Sequence, residues 1–426
     1  LSTDDALSRI LRGTGFVARE EQGGVVIVPE QRSEAAIQPM VLAQAAPHAA
    51  METVTVTSSK LGGADVQSIP IAITALSQEQ LTATQTAGGP DLVKQVPNLT
   101  FTKTNFTGYS IQIRGIGTQA ISVTTDPAVA VAFNDMPFIR NHFFEQEFYD
   151  VSQVEVLRGP QGTLYGRNAT AGVVNLISAR PSDQFEAKLS GDIGNYKNRR
   201  FEGMVNLPIV DDRLAVRIAG EWTKRNGYTT NTIDDSQVDG RNLWSSRVTV
   251  GWKPLENVQA DLIWEHFSED DDRMRTAKQL CKTDPGVNNV LGLDVPEPQL
   301  GGSGVGQAFK ITTASLSQGC LPTSLYSDEA FGVPYGFSLP YVVAGWVSGG
   351  MAVKDPYAGT RQSTNLREIE TTIDPRYRAK NDTVELNVDV AVTPGLTVTS
   401  QTGYNQDFLW STEDYNRFNT SPDMFQ

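Results

Sequence analysis

Residues 150–178 read DVSQVEVLRGPQGTLYGRNATAGVVNLIS. Val154 and Val156 alternate with polar neighbours, and Val173, Val174, Leu176 and Ile177 close the stretch as an apolar run. Between them stand Gly159, Pro160, Gly162, Gly166 and Gly172. The pattern predicts two short strands joined by a glycine-punctuated turn. A phosphate loop would need Lys followed by Ser or Thr after its glycines, so that an ammonium and backbone N–H groups meet the phosphates. Here Arg167 and Asn168 follow, and no GxGxxG is present, so a nucleotide site is excluded.

Working outward, 426 residues suffice for two or three domains. Hydrophobic residues make up 39% and charged residues 20%, which fits neither a disordered chain nor an α-helical membrane protein. No run of eighteen apolar residues offers a spanning helix. A transmembrane barrel remains open, because it hides its apolar surface in every second residue. The net charge of −14 argues against a nucleic-acid partner, which needs clustered Lys and Arg. His48, His142 and His266 are scattered singly, without metal-ligand spacing, and no cofactor is expected.

Five blocks in order resemble the plug domain of TonB-dependent outer-membrane receptors. They are IPIAITALSQEQL (69–81), DLVKQVPNLTF (91–101), IQIRGIG (111–117), VAVAFNDMPF (129–138) and VEVLRGPQGTLYG (154–166). The physical reading agrees block by block. Ile69–Ile73 is strand-like, Ser77 and Gln80 have capping-box spacing, and the turn from Asp91 must end at Pro97. One departure is Asn134-Asp135, where many relatives have Asp-Gly; both residues tolerate positive φ at some cost in strain.

After Pro181 the texture changes to long alternating strands near 184–195, 199–208, 213–226, 241–253, 258–269, 381–392 and 396–410. Short turns (209–212, 254–257, 393–395) alternate with long connections (227–240, 271–379), as in a barrel with turns on one side and loops on the other. A plugged transporter barrel has about 22 strands, so the chain reads as the front of a longer protein. The expected fold class is mainly β: a small α/β plug, then an incomplete antiparallel transmembrane β-barrel, with a partial α/β signalling domain in front. The expected domains are 1–32 (partial signalling domain), 33–59 (linker with TonB box), 60–181 (plug) and 182–426 (barrel).

The front is read from three features. Residues 2–13 suggest a capped helix, with two short strands (16–19, 25–28) after it. This unit resembles the second half of the periplasmic signalling domain of some receptors. Residues 33–50 are an Ala-, Gln- and Pro-rich linker. Then Glu52, Thr53, Val54, Thr55, Val56 and Thr57 form an alternating extended run suited to adding a strand to a partner's sheet edge. It resembles the box on which the inner-membrane energiser TonB pulls.

Further expectations follow from the resemblance. Arg114-Gly115 and Arg158-Gly159 carry arginines of the kind that pair with barrel glutamates and lock the plug, and Gly162 and Gly166 complete the signature. Ligand contacts fall on outward plug loops, here Asn105, Phe106, Tyr109, Gln119, Phe138, Arg140, His142 and Phe143. Arg140 and His142 suit an anion, and the aromatics suit a planar chelator or a sugar. Cys281 and Cys320 read as either two thiols or, in an oxidising compartment, a disulfide closing a loop of about forty residues. Exposed thiols are a liability at a cell surface, so export favours the disulfide. The function implied is import of a scarce nutrient across the outer membrane of a Gram-negative bacterium. The leading cargo is a ferric siderophore, with cobalamin, haem or an oligosaccharide as alternatives. The implied partners are TonB, outer-membrane lipid and an inner-membrane sigma regulator. Two other classes remain at this stage. Acid pairs at Asp211-Asp212, Asp234-Asp235 and Asp270–Asp272 could serve a secreted β-scaffold enzyme, although all lie in expected turns or loops. A surface adhesin would have no need of residues 52–57.

Overall fold

The computed structural model describes residues 11, 16–21, 24–29, 55–56, 64–65, 69–103, 109–118, 125–138, 142–273, 278–294, 317–335, 357, 359–371 and 373–412. The chain divides into two compact units, Leu1–Thr53 and Val54–Gln426. In the first, β1 (Phe16–Glu21) and β2 (Gly24–Pro29) form an antiparallel hairpin. The expected helix before it lies outside the described residues.

The second unit opens with β3 (Thr55–Val56) paired to β4 (Ala64–Asp65). β5 (Ala72–Ser77) runs into α1 (Gln78–Ala83). Ser77 caps α1 through the box its spacing predicts: Gln80 N–H donates to Ser77 Oγ, and Ser77 N–H donates to Gln80 Oε1. A 3₁₀ turn (Gly89–Lys94) stops before Pro97. β6 (Leu99–Lys103), β7 (Tyr109–Ile113) and β8 (Ile116–Gly117) make a small antiparallel sheet. β9 (Val129–Phe133) and β10 (Met136–Pro137) flank the Asn134-Asp135 turn, and a 3₁₀ turn occupies His142–Glu145. β11 (Val151–Arg158), α2 (Gly162–Tyr165) and β12 (Gly172–Ser178) come from the opening stretch. β11 and β12 pair antiparallel, Arg158 opposite Gly172, as the two apolar runs predict.

These strands form a five-stranded sheet ordered β10-β9-β12-β11-β5, in which only the β9–β12 pair is parallel. β11 is an inner strand, paired on both sides, and Val154, Val156 and Leu157 are fully buried. The main apolar cluster includes Leu81, Leu92, Ile111, Val131, Phe133 and Phe144.

The remainder is one seven-stranded antiparallel sheet. Its strands are β13 (Glu186–Gly194), β14 (Asn198–Val210), β15 (Leu214–Arg225), β18 (Arg241–Leu255), β19 (Val258–Asp271), β25 (Arg376–Thr393) and β26 (Leu396–Thr412), paired in chain order. All seven expected strands are present, though β25 begins several residues early. The loops carry short pairs: β16 (Thr229–Asn231) with β17 (Gln237–Val238) and β24 (Glu368–Ile369), β20 (Lys282–Thr283) with β23 (Cys320–Leu321), and β21 (Asn289–Val290) with β22 (Leu293–Asp294).

The sheet's two faces are the reverse of a soluble protein's. Ile218, Trp244, Leu262, Trp264, Val384 and Leu386 are exposed. Arg217, Glu221, Arg247, Glu265 and Glu385, on the alternate residues, are buried. A soluble sandwich would bury the apolar residues; a barrel wall turns them to lipid and its polar face to the lumen. The five-stranded domain fills that lumen side. Ile263, a wall residue, even joins its apolar cluster.

Candidate functional site

The densest contact between plug and wall is one segment, Glu145–Asp150, reading EQEFYD. It leaves the 3₁₀ turn and runs along the lumen face to the start of β11. Five wall arginines meet it. Arg200 comes from β14, Arg217 from β15, Arg241 and Arg247 from β18, and Arg273 from just past β19.

At the loop end, Arg273 Nη1 lies 2.5 Å from Glu145 Oε2, and its guanidinium stacks on Tyr377 at 3.7 Å from the ring centre. Arg241 donates to the Glu145 carbonyl at 3.5 Å. Next, Gln146 Nε2 donates to Glu265 Oε1 at 2.9 Å. Glu147 takes Arg200 Nε at 3.0 Å and the Thr223 hydroxyl at 2.9 Å, and Arg200 also donates to the Phe148 carbonyl. Arg247 lies over the Tyr149 ring at 4.6 Å and donates to the carbonyls of Tyr149 and Asp150. Arg217 closes the segment with a two-pronged grip on Asp150, Nε–Oδ2 2.9 Å and Nη2–Oδ1 2.6 Å. Such forked pairs fix orientation as well as position. Burial pushes the Tyr149 hydroxyl well above its ordinary pKa, so it stays neutral beside these charges.

A second contact has no cation. Asn134 and Asp135 both adopt left-handed backbone, φ 47° and 69°. The conformation is held by side chains. Asn134 Oδ1 accepts from the Ser178 N–H (2.9 Å) and hydroxyl, and its Nδ2 donates to wall Glu385 at 3.3 Å. Asp135 Oδ1 accepts from Asn175 Nδ2 (2.7 Å) and the Tyr165 hydroxyl (2.9 Å). Gln401 of β26 binds both Glu385 and the Asn134 carbonyl. Beside it Met136 fills the space above Gly403, where no Cβ could fit. Between plug and first wall strands lies a cavity of about 750 Å³, lined by Asp150, Arg180, Glu186, Lys188, Glu202 and Arg217 among others.

The residues expected from sequence fall elsewhere. Arg114 (φ 55°) and Gly115 are exposed, and Arg158 is half-buried; among the described residues neither arginine has an ion pair. Gly159 and Gly166 have positive φ, which explains glycine at these two positions, and Gly162 starts α2. The charged grip that is present runs the other way, from wall arginines to plug carboxylates. Sequence reasoning missed these arginines because Arg217 and Arg247 read only as the polar half of an alternation, and Arg273 fell in the long connection 271–379. The one available signal was their lumen-side parity, shared with Glu221 and Glu265.

Thr55 and Val56 of the candidate TonB box form β3; Glu52, Thr53, Val54 and Thr57 lie outside the described residues. So do Asn105, Phe106, Gln119 and Arg140. Tyr109 starts β7, and His142 and Phe143 sit in the 3₁₀ turn that feeds Glu145. Phe138 is buried in the plug's apolar cluster. Cys281 and Cys320 form a disulfide within the long loop. Among the described residues no cluster of His, Cys, Asp and Glu could hold a metal.

Comparison with known proteins identifies the plug. The profile of the TonB-dependent receptor plug domain matches residues 65–173. The pesticin receptor of Yersinia pestis is 25% identical over 214 residues, covering 50% of this chain and 31% of that protein. The catecholate siderophore receptor Fiu of Escherichia coli is 38% identical over 84 residues, 19% of this chain and 11% of that protein. The crystal structure of the ferric yersiniabactin uptake receptor of Y. pestis superposes with TM-score 0.55 at 15% identity, over 80% of this chain and 42% of that one. The chain thus spans less than a third of the length of these curated relatives. Receptors of this kind are transporters, which sets aside the secreted-enzyme reading. Plug sheet and matched profile together make residues 65–173 a TonB-dependent receptor plug domain, seated on an apolar-out wall.

Proposed function

We propose that this chain belongs to an outer-membrane importer that takes up a ferric siderophore, energised by TonB through residues 52–57. The carrying observation is the plug seated on the lumen face of a wall whose other face is apolar. Such a plug blocks passive flow, so cargo crosses only when the plug is displaced. A catecholate siderophore receptor among the relatives favours an iron chelate over cobalamin, haem or an oligosaccharide. His142 and Phe143, in the turn before Glu145, are the proposed ligand residues of this part of the plug.

The mechanism needs no bond to be made or broken. Cargo on the plug's outer loops shifts the equilibrium of the plug by binding its conformers unequally. The extended segment at 52–57 then adds to TonB's sheet edge, and tension reaches β5, an edge strand whose one sheet partner among the described residues is β11. The hairpin of the first unit supports a second role, reporting occupancy to an inner-membrane sigma regulator.

The test is deletion of residues 52–57 in the whole receptor, with iron-loaded catecholate siderophore as probe. Energised uptake should be abolished and binding to intact cells retained. Loss of binding, or uptake at the parental rate, would refute the division of labour.

A further inference from the structure

Each wall arginine that grips the plug also holds a carboxylate of the wall. Arg200 pairs with Glu202, and Glu221 Oε2 lies 3.6 Å from it. Arg217 has Glu186 at 3.4 Å. Arg247 has Glu265 at 3.0 Å. Arg273 has Glu269 at 3.2 Å, and Arg241 shares Glu269 at 3.4 Å. All five guanidinium groups are largely buried. A buried ion pair that loses one partner leaves a bare charge in a poor solvent, which is far costlier than the pair is favourable. Here that penalty is removed in advance. When Glu145, Glu147 or Asp150 leaves, the arginine falls back on a carboxylate already beside it. The plug carboxylates, for their part, go to water.

We infer that Glu202, Glu221 and Glu269 are standby partners: they compete with the plug's Glu145 and Glu147 for the wall arginines and so keep plug attachment reversible. They are positioning residues, and they act on the plug only through Arg200, Arg241 and Arg273. The arrangement is built for Arg200 in particular. One guanidinium faces two wall carboxylates and one plug carboxylate, and Glu147 has a second, neutral tether in Thr223. The inference rests on the import reading, since only a plug that must leave needs reversible attachment.

The test separates competition from plain structural support by sign. The whole receptor in outer-membrane vesicles is followed by hydrogen exchange of the amides of residues 145–151, without cargo or TonB. Glu147→Gln removes a plug link and should speed their exchange roughly tenfold or more, the scale of a lost charged hydrogen bond. Glu221→Gln and Glu269→Gln remove competitors and should slow it several-fold. TonB-driven uptake should then fall in these two variants while binding of the iron-loaded probe is kept. Faster or unchanged exchange in both glutamine variants would overturn the inference. So would failure of both to assemble, because that would make the carboxylates obligatory structural partners. Absence of uptake even in the parent protein would instead sink the import reading and leave the exchange order readable.

Discussion

Asn134 and Asp135 show at single-residue scale how a local misfit is held by its surroundings. Two consecutive left-handed non-glycine residues cost about 1 kcal/mol each or more. The Ser178, Asn175, Tyr165 and Glu385 bonds offset that cost and make the turn a fixture of the wall contact. Replacing Asn134 by Gly relieves the backbone but orphans the Ser178 N–H and weakens the Glu385 contact. The expected outcome is a net loss of about 1–2 kcal/mol, read as easier thermal release of the plug. Tyr165 is the same turn's pH-sensitive member. Burial first, then the Asp135 charge, raises its pKa far above the ordinary 10. A raised pKa means its contribution is whole below pH 10 and fades as pH climbs beyond that, toward the folded value. Spectrophotometric titration should show Tyr165 among the tyrosines that resist ionisation until the plug loosens, and Tyr165→Phe should shrink that late step by one tyrosine.

At the scale of elements, alternation made the strands legible. Wherever one face was apolar and the next polar, the seven wall strands could be placed to within a few residues. β25 began early because Arg376, Arg378 and Lys380 break its apolar face near the loop end, so the period is hidden there. The capping box at Ser77 was legible because its two bonds are local. The arginine contacts were not, since Asp150 and Arg217 are 67 residues apart and only the assembled lumen joins them. Arg114 and Arg158 drew notice through a family habit, and their lock role stays open to test: Arg158→Ala should loosen the plug and reduce uptake. The long loop is an element in its own right. Its disulfide closes a span of 39 residues. Replacing both cysteines with serine should free the loop by about 3–4 kcal/mol in the chain-entropy account. Proteolysis should then cut within 282–319 and leave the wall strands intact.

Considered whole, the unit Val54–Gln426 is a wall with its apolar side outward and a stopper on its polar side. Trp244, Trp252, Trp264 and Trp410 all lie exposed on the outer side. Single-tryptophan variants of the complete receptor in brominated-lipid vesicles should be quenched at these four positions. Trp222, half-buried on the same face, should be quenched less. Absence of quenching at all four would place the apolar face somewhere other than lipid. Fold class was readable from sequence because patterning and turn length act over the entire chain. Cargo choice was not, because it depends on a few loop side chains whose arrangement no period records.

Ile263 has a consequence for how such a molecule is made. It belongs to a wall strand, yet it is buried within the plug's own apolar cluster. The plug therefore borrows a side chain and, severed from the wall, would have a hole in its interior. Arg247 over the Phe133 ring, at 5.0 Å, is lost in the same stroke. Synthesised alone, the plug should have native-like strands but loose side-chain packing, and it should tighten only when the surrounding wall is supplied. Stopper and wall mature as one object: the final act of plug folding is barrel assembly.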